Sequence, residues 1–88
     1  MYYVYILFSL KSKTLYTGYT ENLKKRLIDH NLGRGSTYTS NNRPYKLVYH
    51  EAYLSKEDAV KQELFYKSGY GKEILKDKTK TSLNILRA

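Results

Sequence analysis

The sequence predicts an α+β fold: a small three-stranded antiparallel sheet flanked by helices, in the order β-β-α-β-α-α. Three observations carry this. Two strand-like runs, Tyr2–Phe8 and Thr14–Tyr19, are separated only by the polar turn Ser9-Leu10-Lys11-Ser12-Lys13, which makes them a hairpin. A third such run, Tyr45–Tyr53, stands between two segments with helical signals. Eighty-eight residues hold one domain with one small core, so residues 1–88 are assigned to a single unit.

Each element has its own warrant. Tyr2–Phe8 is β-branched and aromatic throughout and reads as a strand buried on both faces. Gly18, inside the second strand, marks a bulge or a close backbone approach. Thr20 is placed to cap a helix from Glu21 to about Leu32 that turns Leu23, Leu27 and Ile28 to the core and stops at Gly33. Residues Gly33–Arg43 form a polar loop closed by Pro44. In the third strand, Leu47, Tyr49 and Tyr53 are expected on one face. Ser55-Lys56-Glu57-Asp58 has the form of a capping box and opens a helix to about Ser68. Gly69 and Gly71 break it, a third helix follows from Lys72, and residues 76–88 form a C-terminal tail or helix. No repeat, low-complexity tract or linker appears.

Sixteen Lys and Arg against eight Asp and Glu give a net charge of +8, a field attractive to polyanions. Eleven tyrosines accompany it, a residue type that both stacks on bases and donates to phosphate. With 41% hydrophobic residues the chain is a folded protein rather than a disordered one. The absence of cysteine excludes disulfides and a cysteine-ligated zinc and is compatible with a reducing cytoplasm. The apolar runs are too short to span a bilayer, no signal peptide is legible, and no helix reads as a basic membrane anchor, so no membrane partner is expected.

Chemistry concentrates in the first half. Tyr5 and Tyr16 occupy the middles of the two hairpin strands and point to one face. Arg26 and His30, four residues apart, share a helix face near the sheet edge. Two phenols, a guanidinium and an imidazole suit a phosphodiester, supplying acid/base groups for water and a cation for developing charge. Taken singly, each has a plainer meaning: a cross-strand aromatic pair, and a solvated helix face. Glu63 borders the apolar stripe of the second helix. One hard oxygen ligand is enough for magnesium, which keeps waters and phosphate as its other ligands; an ion pair with Lys67 at i+4 is the alternative. His50 and Glu51 have no further ligand at metal spacing. No P-loop, G-x-G-x-x-G, H-E-x-x-H or nucleophile-elbow pattern occurs.

Together the residues resemble the GIY-YIG nucleases, most closely the small stand-alone proteins similar to the N-terminal domain of the excision-repair nuclease subunit. The first motif is Tyr3-Val4-Tyr5 and the second Tyr16-Thr17-Gly18, with Tyr5 and Tyr16 eleven residues apart. The run from Gly18 through Thr20, Asn22-Leu23, Arg26 and His30-Asn31 is similar to the family's next motif, and Ala59, Glu63 and Lys67 to its later one. Tyr38-Thr39, Arg43-Pro44 and Leu47-Val48-Tyr49 resemble the stand-alone subgroup, and the match runs from about residue 2 to 75. The resemblance implies a divalent-metal-dependent endonuclease acting on DNA, branched or damaged DNA included, with Mg2+ or Mn2+ and no small-molecule cofactor. In it Tyr5 activates water, Tyr16 orients that water or holds the phosphate, Arg26 stabilises developing charge, His30 assists proton transfer and Glu63 holds the ion. Lys25, Arg34, Tyr38, Arg43 and Lys67 are the expected nucleic-acid contacts. The first motif lacks the family's glycine, and Asn84 is not assigned to the additional Asn that larger members carry.

Three classes are therefore in play: a nuclease, a nucleic-acid-binding module of the same fold with little or no cleavage, and a protein-interaction scaffold. The first requires Tyr5, Tyr16, Arg26, His30 and Glu63 on one surface. Glu63 on the opposite side of the molecule from Tyr5 would remove it.

Overall fold

The N-terminal run of β-branched and aromatic residues becomes the middle of the sheet. The computed structural model describes residues 1–87, and Ala88, the end of the expected tail, lies outside the described residues. Strand β1 (Tyr2–Ser9) is paired antiparallel with β2 (Leu15–Thr20) on one side and β3 (Tyr45–Tyr53) on the other, in the order β2-β1-β3. The central place explains why every residue from Val4 to Ser9 is buried. Alternation then sends β1 side chains into two separate cores. Val4 and Ile6 pack with Ala59, Tyr66 and Leu75; Tyr5 and Leu7 pack with Tyr45, Leu23 and Leu27.

The helices sort onto these two faces. Helix α1 (Leu23–Asn31) and the short α2 (Thr37–Asn41) lie on the Tyr5 side, while α3 (Lys56–Lys67) and α4 (Gly69–Lys78) cover the Val4 side; α5 (Lys80–Arg87) follows directly. Helix α3 also packs against β1 and β2, which brings it to the hairpin edge of the sheet.

Several local expectations are corrected. The N-cap of α1 is Asn22, whose Oδ1 accepts the Lys25 N–H at 3.0 Å, whereas the Thr20 hydroxyl takes the Asn22 N–H. The helix start is thus two residues later, because an Asx acceptor was available closer to the apolar stripe. Ile28 is 49% exposed and faces away from the core. Leu47 does not share a face with Tyr49: the β1–β3 register pairs Ile6 with Tyr49 and Leu7 with Leu47, leaving Val48 as a bulge that inverts the alternation. Ser55 makes no side-chain cap hydrogen bond. Helix α4 starts at Gly69 rather than Lys72, because Ser68 turns to extended backbone (ψ 161°) and its hydroxyl accepts the Gly71 N–H. The loop Gly33–Arg43 contains α2, opened by a capping box of Ser36 with Thr39.

Candidate active site

The site is built from the hairpin upward. Tyr5 projects from β1 and crosses toward β2, where it meets Gly18, its pairing partner. Any side chain at Gly18 would collide with the Tyr5 ring and hydroxyl. The glycine therefore serves close approach rather than a bulge. Tyr16 stands on the same face, its ring centroid 6.5 Å from that of Tyr5.

Helix α1 supplies the next two groups. His30, fully buried, places Nε2 at 2.9 Å from the Tyr5 hydroxyl, and Arg26, one turn earlier, donates from Nε to the same oxygen at 3.4 Å. One phenol oxygen thus faces an imidazole and a guanidinium. None of the ion pairs among the described residues involves Arg26. The imidazole is held by aromatic edges, with Tyr16 at 5.3 Å and Tyr45 at 6.0 Å between centroids. It is also held by the backbone of the following loop, where a side chain at Gly35 would strike its Nδ1 edge and the Thr39 hydroxyl. Asn31 locks α1 to β3 by a two-way bond with Tyr45, Oδ1 accepting the N–H at 2.7 Å and Nδ2 donating to the carbonyl at 3.2 Å.

Burial sets the protonation states. It pushes the His30 imidazole down to about 4, with the Arg26 charge acting in the same direction, so the ring is neutral at neutral pH. Burial raises the Tyr5 phenol above its ordinary value, although the Arg26 hydrogen bond and charge oppose this; the charges of Tyr16 and Glu63 add to the rise. The Glu63 carboxylate therefore lies within electrostatic reach of Tyr5. It is largely covered, at 14% exposure, and its partner is Lys67 at 3.5 Å. So the i+4 ion pair exists.

The expected nucleic-acid contacts are spread around this cluster. Tyr38, 53% exposed, stacks on Tyr16 at 6.3 Å and 22°, extending the aromatic row from the buried imidazole to solvent. Lys25 is exposed but paired with Asp29 at 2.8 Å. Arg34 and Arg43 are exposed at the two ends of the loop, with the Arg43 guanidinium folded against Gly33. Asn84 is on α5 and lines a groove beside α4, whose lining does not include Tyr5 or Tyr16.

A second polar cluster was missed. Glu51, set aside with His50 in the sequence, points into the α3 side and accepts from Tyr49 (2.7 Å), Tyr53 (2.7 Å) and Tyr66 (2.6 Å), with Lys78 at 3.7 Å. Burial pushes its carboxyl up, but the three phenols and Lys78 outweigh that and hold it low, while Tyr66 is pushed up to about 12. Position 51 lies between Tyr49 and Tyr53 at strand spacing, which was the available signal.

Residues 1–79 match the GIY-YIG catalytic domain. The chain belongs to the GIY-YIG family. This is a nuclease-type family whose members generally use a divalent metal and act on DNA. Within it, a UPF0213 protein of Streptococcus pyogenes serotype M5 is 49% identical over 65 residues, 74% of this chain and 70% of that protein. One from serotype M3 has the same identity over the same span. The solution NMR structure of the UPF0213 protein of Bacillus halodurans is similar at a TM-score of 0.52 and 41% identity, over 85% of this chain and 82% of that one. A GIY-YIG protein of this kind has its two motif tyrosines, arginine and histidine in one contact cluster here. Among the described residues no helix is long and apolar enough to cross a membrane.

The donor set for a metal is narrow. No group of three or more His, Cys, Asp or Glu converges among the described residues. A single carboxylate can nevertheless serve a magnesium-type ion, which takes most of its ligands from water and phosphate. Glu63 is the carboxylate whose charge acts on Tyr5.

Proposed function

We propose that the chain hydrolyses phosphodiester bonds in DNA, branched or damaged DNA included, as a single domain of the cytoplasm. The observation that supports this best is the Tyr5 hydroxyl, shared between His30 Nε2 and Arg26 Nε. A neutral imidazole with a lone pair on Nε2 accepts the phenol proton as the phenol oxygen takes one from water. The hydroxide so formed attacks phosphorus, the P–O bond to the leaving oxygen breaks, and that oxygen takes up the proton that His30 passes back through Tyr5. Arg26, a permanent cation, stabilises the negative charge on Tyr5 and on the phosphoryl oxygens. Tyr16, on the same face, orients the water or the phosphate. Glu63 would hold one Mg2+ or Mn2+, which supplies positive charge to the phosphate and the leaving oxygen. Lys25, Arg34, Tyr38, Arg43 and Lys67 surround the site as contacts to the nucleic acid.

One observation favours a second reading, a binding module with little or no cleavage. Burial raises the Tyr5 phenol, so Arg26 alone does not make it a base at neutral pH. The added cation at Glu63 is what separates the two readings.

A nicking assay on supercoiled and branched DNA with magnesium or manganese decides between them. Tyr5→Phe deletes one hydroxyl and should cut the rate by about 10²–10⁴-fold, the usual worth of a general base. Glu63→Gln should collapse cleavage while DNA binding survives. Equal activity in wild type and both variants would move the chemistry elsewhere, and no activity in any of them would leave the binding module.

A further inference from the structure

A further cavity lies away from the tyrosine cluster. It is a groove of about 780 Å3 on the other face of β2, between the hairpin turn, α4 and α5. Five cations line it: Lys13 from the turn, Lys72 and Lys76 from α4, and Lys80 and Arg87 from α5. Its two carboxylates are Glu73 and Asp77, and Glu73 is already taken by Lys76 at 3.4 Å. Lys13, Lys72 and Lys80 have no carboxylate partner within ion-pair distance among the described residues. Arg87 fixes the far wall: its guanidinium lies 5.4 Å from the centre of the Phe8 ring and donates to the Lys13 carbonyl at 3.4 Å. That contact ties α5 back to the hairpin turn and holds the groove open between them.

Five cations against two carboxylates leave the groove with a net positive charge, and the mutual repulsion of its unpaired lysines is relieved when an anion joins them. Asn84 and Thr14 stand among the cations and can add hydrogen bonds to phosphate oxygens. Helix α5 lies beyond the region that matches the family, residues 1–79, so the wall formed by Lys80, Leu83, Asn84 and Arg87 is outside the matched domain. It is separated from the cluster at Tyr5 and Tyr16 by the thickness of the edge strand β2, whose Tyr16 faces one side and whose Leu15 and Thr17 face the other.

We infer that this α4–α5 groove is a second nucleic-acid contact, binding the sugar-phosphate backbone of a DNA segment that passes over the β2 edge from the tyrosine site. This rests on the proposed action on DNA, but the groove's role is affinity and not chemistry.

The test is the salt dependence of duplex binding, followed by fluorescence anisotropy, for the full chain and Lys72→Gln/Lys80→Gln. Each lost phosphate contact should lower the slope of log K against log salt by about 0.9. Two such contacts are worth about thirtyfold in affinity at 0.15 M salt on that slope. Lys13→Gln/Lys80→Gln should reproduce the loss by a different pair. In single-turnover cleavage at saturating DNA, both variants should keep the wild-type rate. The comparison is Lys46→Gln/Lys61→Gln, which removes two exposed lysines outside the groove. If this pair weakens binding as much, or if the groove variants keep the wild-type slope, the groove is no site and only net charge acts. Binding that depends on the groove in a chain that never cleaves would sink the nuclease reading and leave the groove. Cleavage with groove-independent binding would do the reverse.

Discussion

Acidifying the protein should unfold it through one histidine. His30 is completely buried and its imidazole is held down to about 4 from an ordinary value of 6.5. Between those two values the unfolded chain binds a proton that the native chain does not. The His30 contribution to stability therefore falls as pH drops through 6.5, keeps falling to about 4, and levels below that. The interval is worth roughly 3 kcal/mol at 1.36 kcal/mol per pH unit, a large share of the few kcal/mol that hold a domain of this size. Urea midpoints measured across that window should slope upward with pH in the wild type. In His30→Gln, whose amide keeps a partner for Tyr5 but does not titrate, the slope should be flatter although the variant is less stable overall. An NMR titration of the imidazole should show no protonation of His30 until well below 6.5. If His30 titrates near 6.5, or if both stability curves run parallel, the neutral, desolvated imidazole is wrong, and with it the role given to Nε2.

Two further substitutions probe the scaffold. Gly18→Ala would put a methyl group into the Tyr5 ring and hydroxyl, so it should cost about 1–3 kcal/mol. Cleavage should fall even in molecules that remain folded, and a melting curve together with the nicking rate checks both. Glu51→Gln would replace the shared acceptor of Tyr49, Tyr53 and Tyr66 with a neutral amide. A thermal melt should reveal a loss of about 2–4 kcal/mol, on the scale of hydrogen bonds to a charged group, with the residual folded fraction still able to bind DNA.

The parts of the fold that were legible are those where local chemistry and tertiary demand agree. The Tyr2–Phe8 run could only be a buried strand, and the tight hairpin put Tyr5 and Tyr16 on one face without knowledge of anything distant. Arg26 and His30 were paired by helical spacing, although neither the direct contact of both with one phenol oxygen nor the depth of His30 could be read. What failed turned on choices made elsewhere. Val48 bulges because β1 fixes the register, and the strand's own alternation gives no hint of it. Helix α2 uses Thr39 where the usual capping box has Glu or Gln, so a polar stretch hid a turn that buries Thr39 and backs His30. Glu51 looked like half of a failed metal site because one of its three phenols arrives from α3, fifteen residues away.

The middle strand is a wall common to two rooms. Because Val4 and Ile6 furnish one side and Tyr5 and Leu7 the other, there is no inert partition between the layer that supports the molecule and the layer that holds its reactive groups. A change of one methylene at Ala59 or Leu75 is met by shifting β1, and β1 cannot shift without carrying the Tyr5 oxygen relative to His30 and Arg26. Sequence drift should therefore be tightly limited in volume on the α3–α4 side, at positions that never touch the tyrosine cluster. Exposed Ile28, on the same helix as Arg26 and His30, and Leu32, at its C-cap, are free to change.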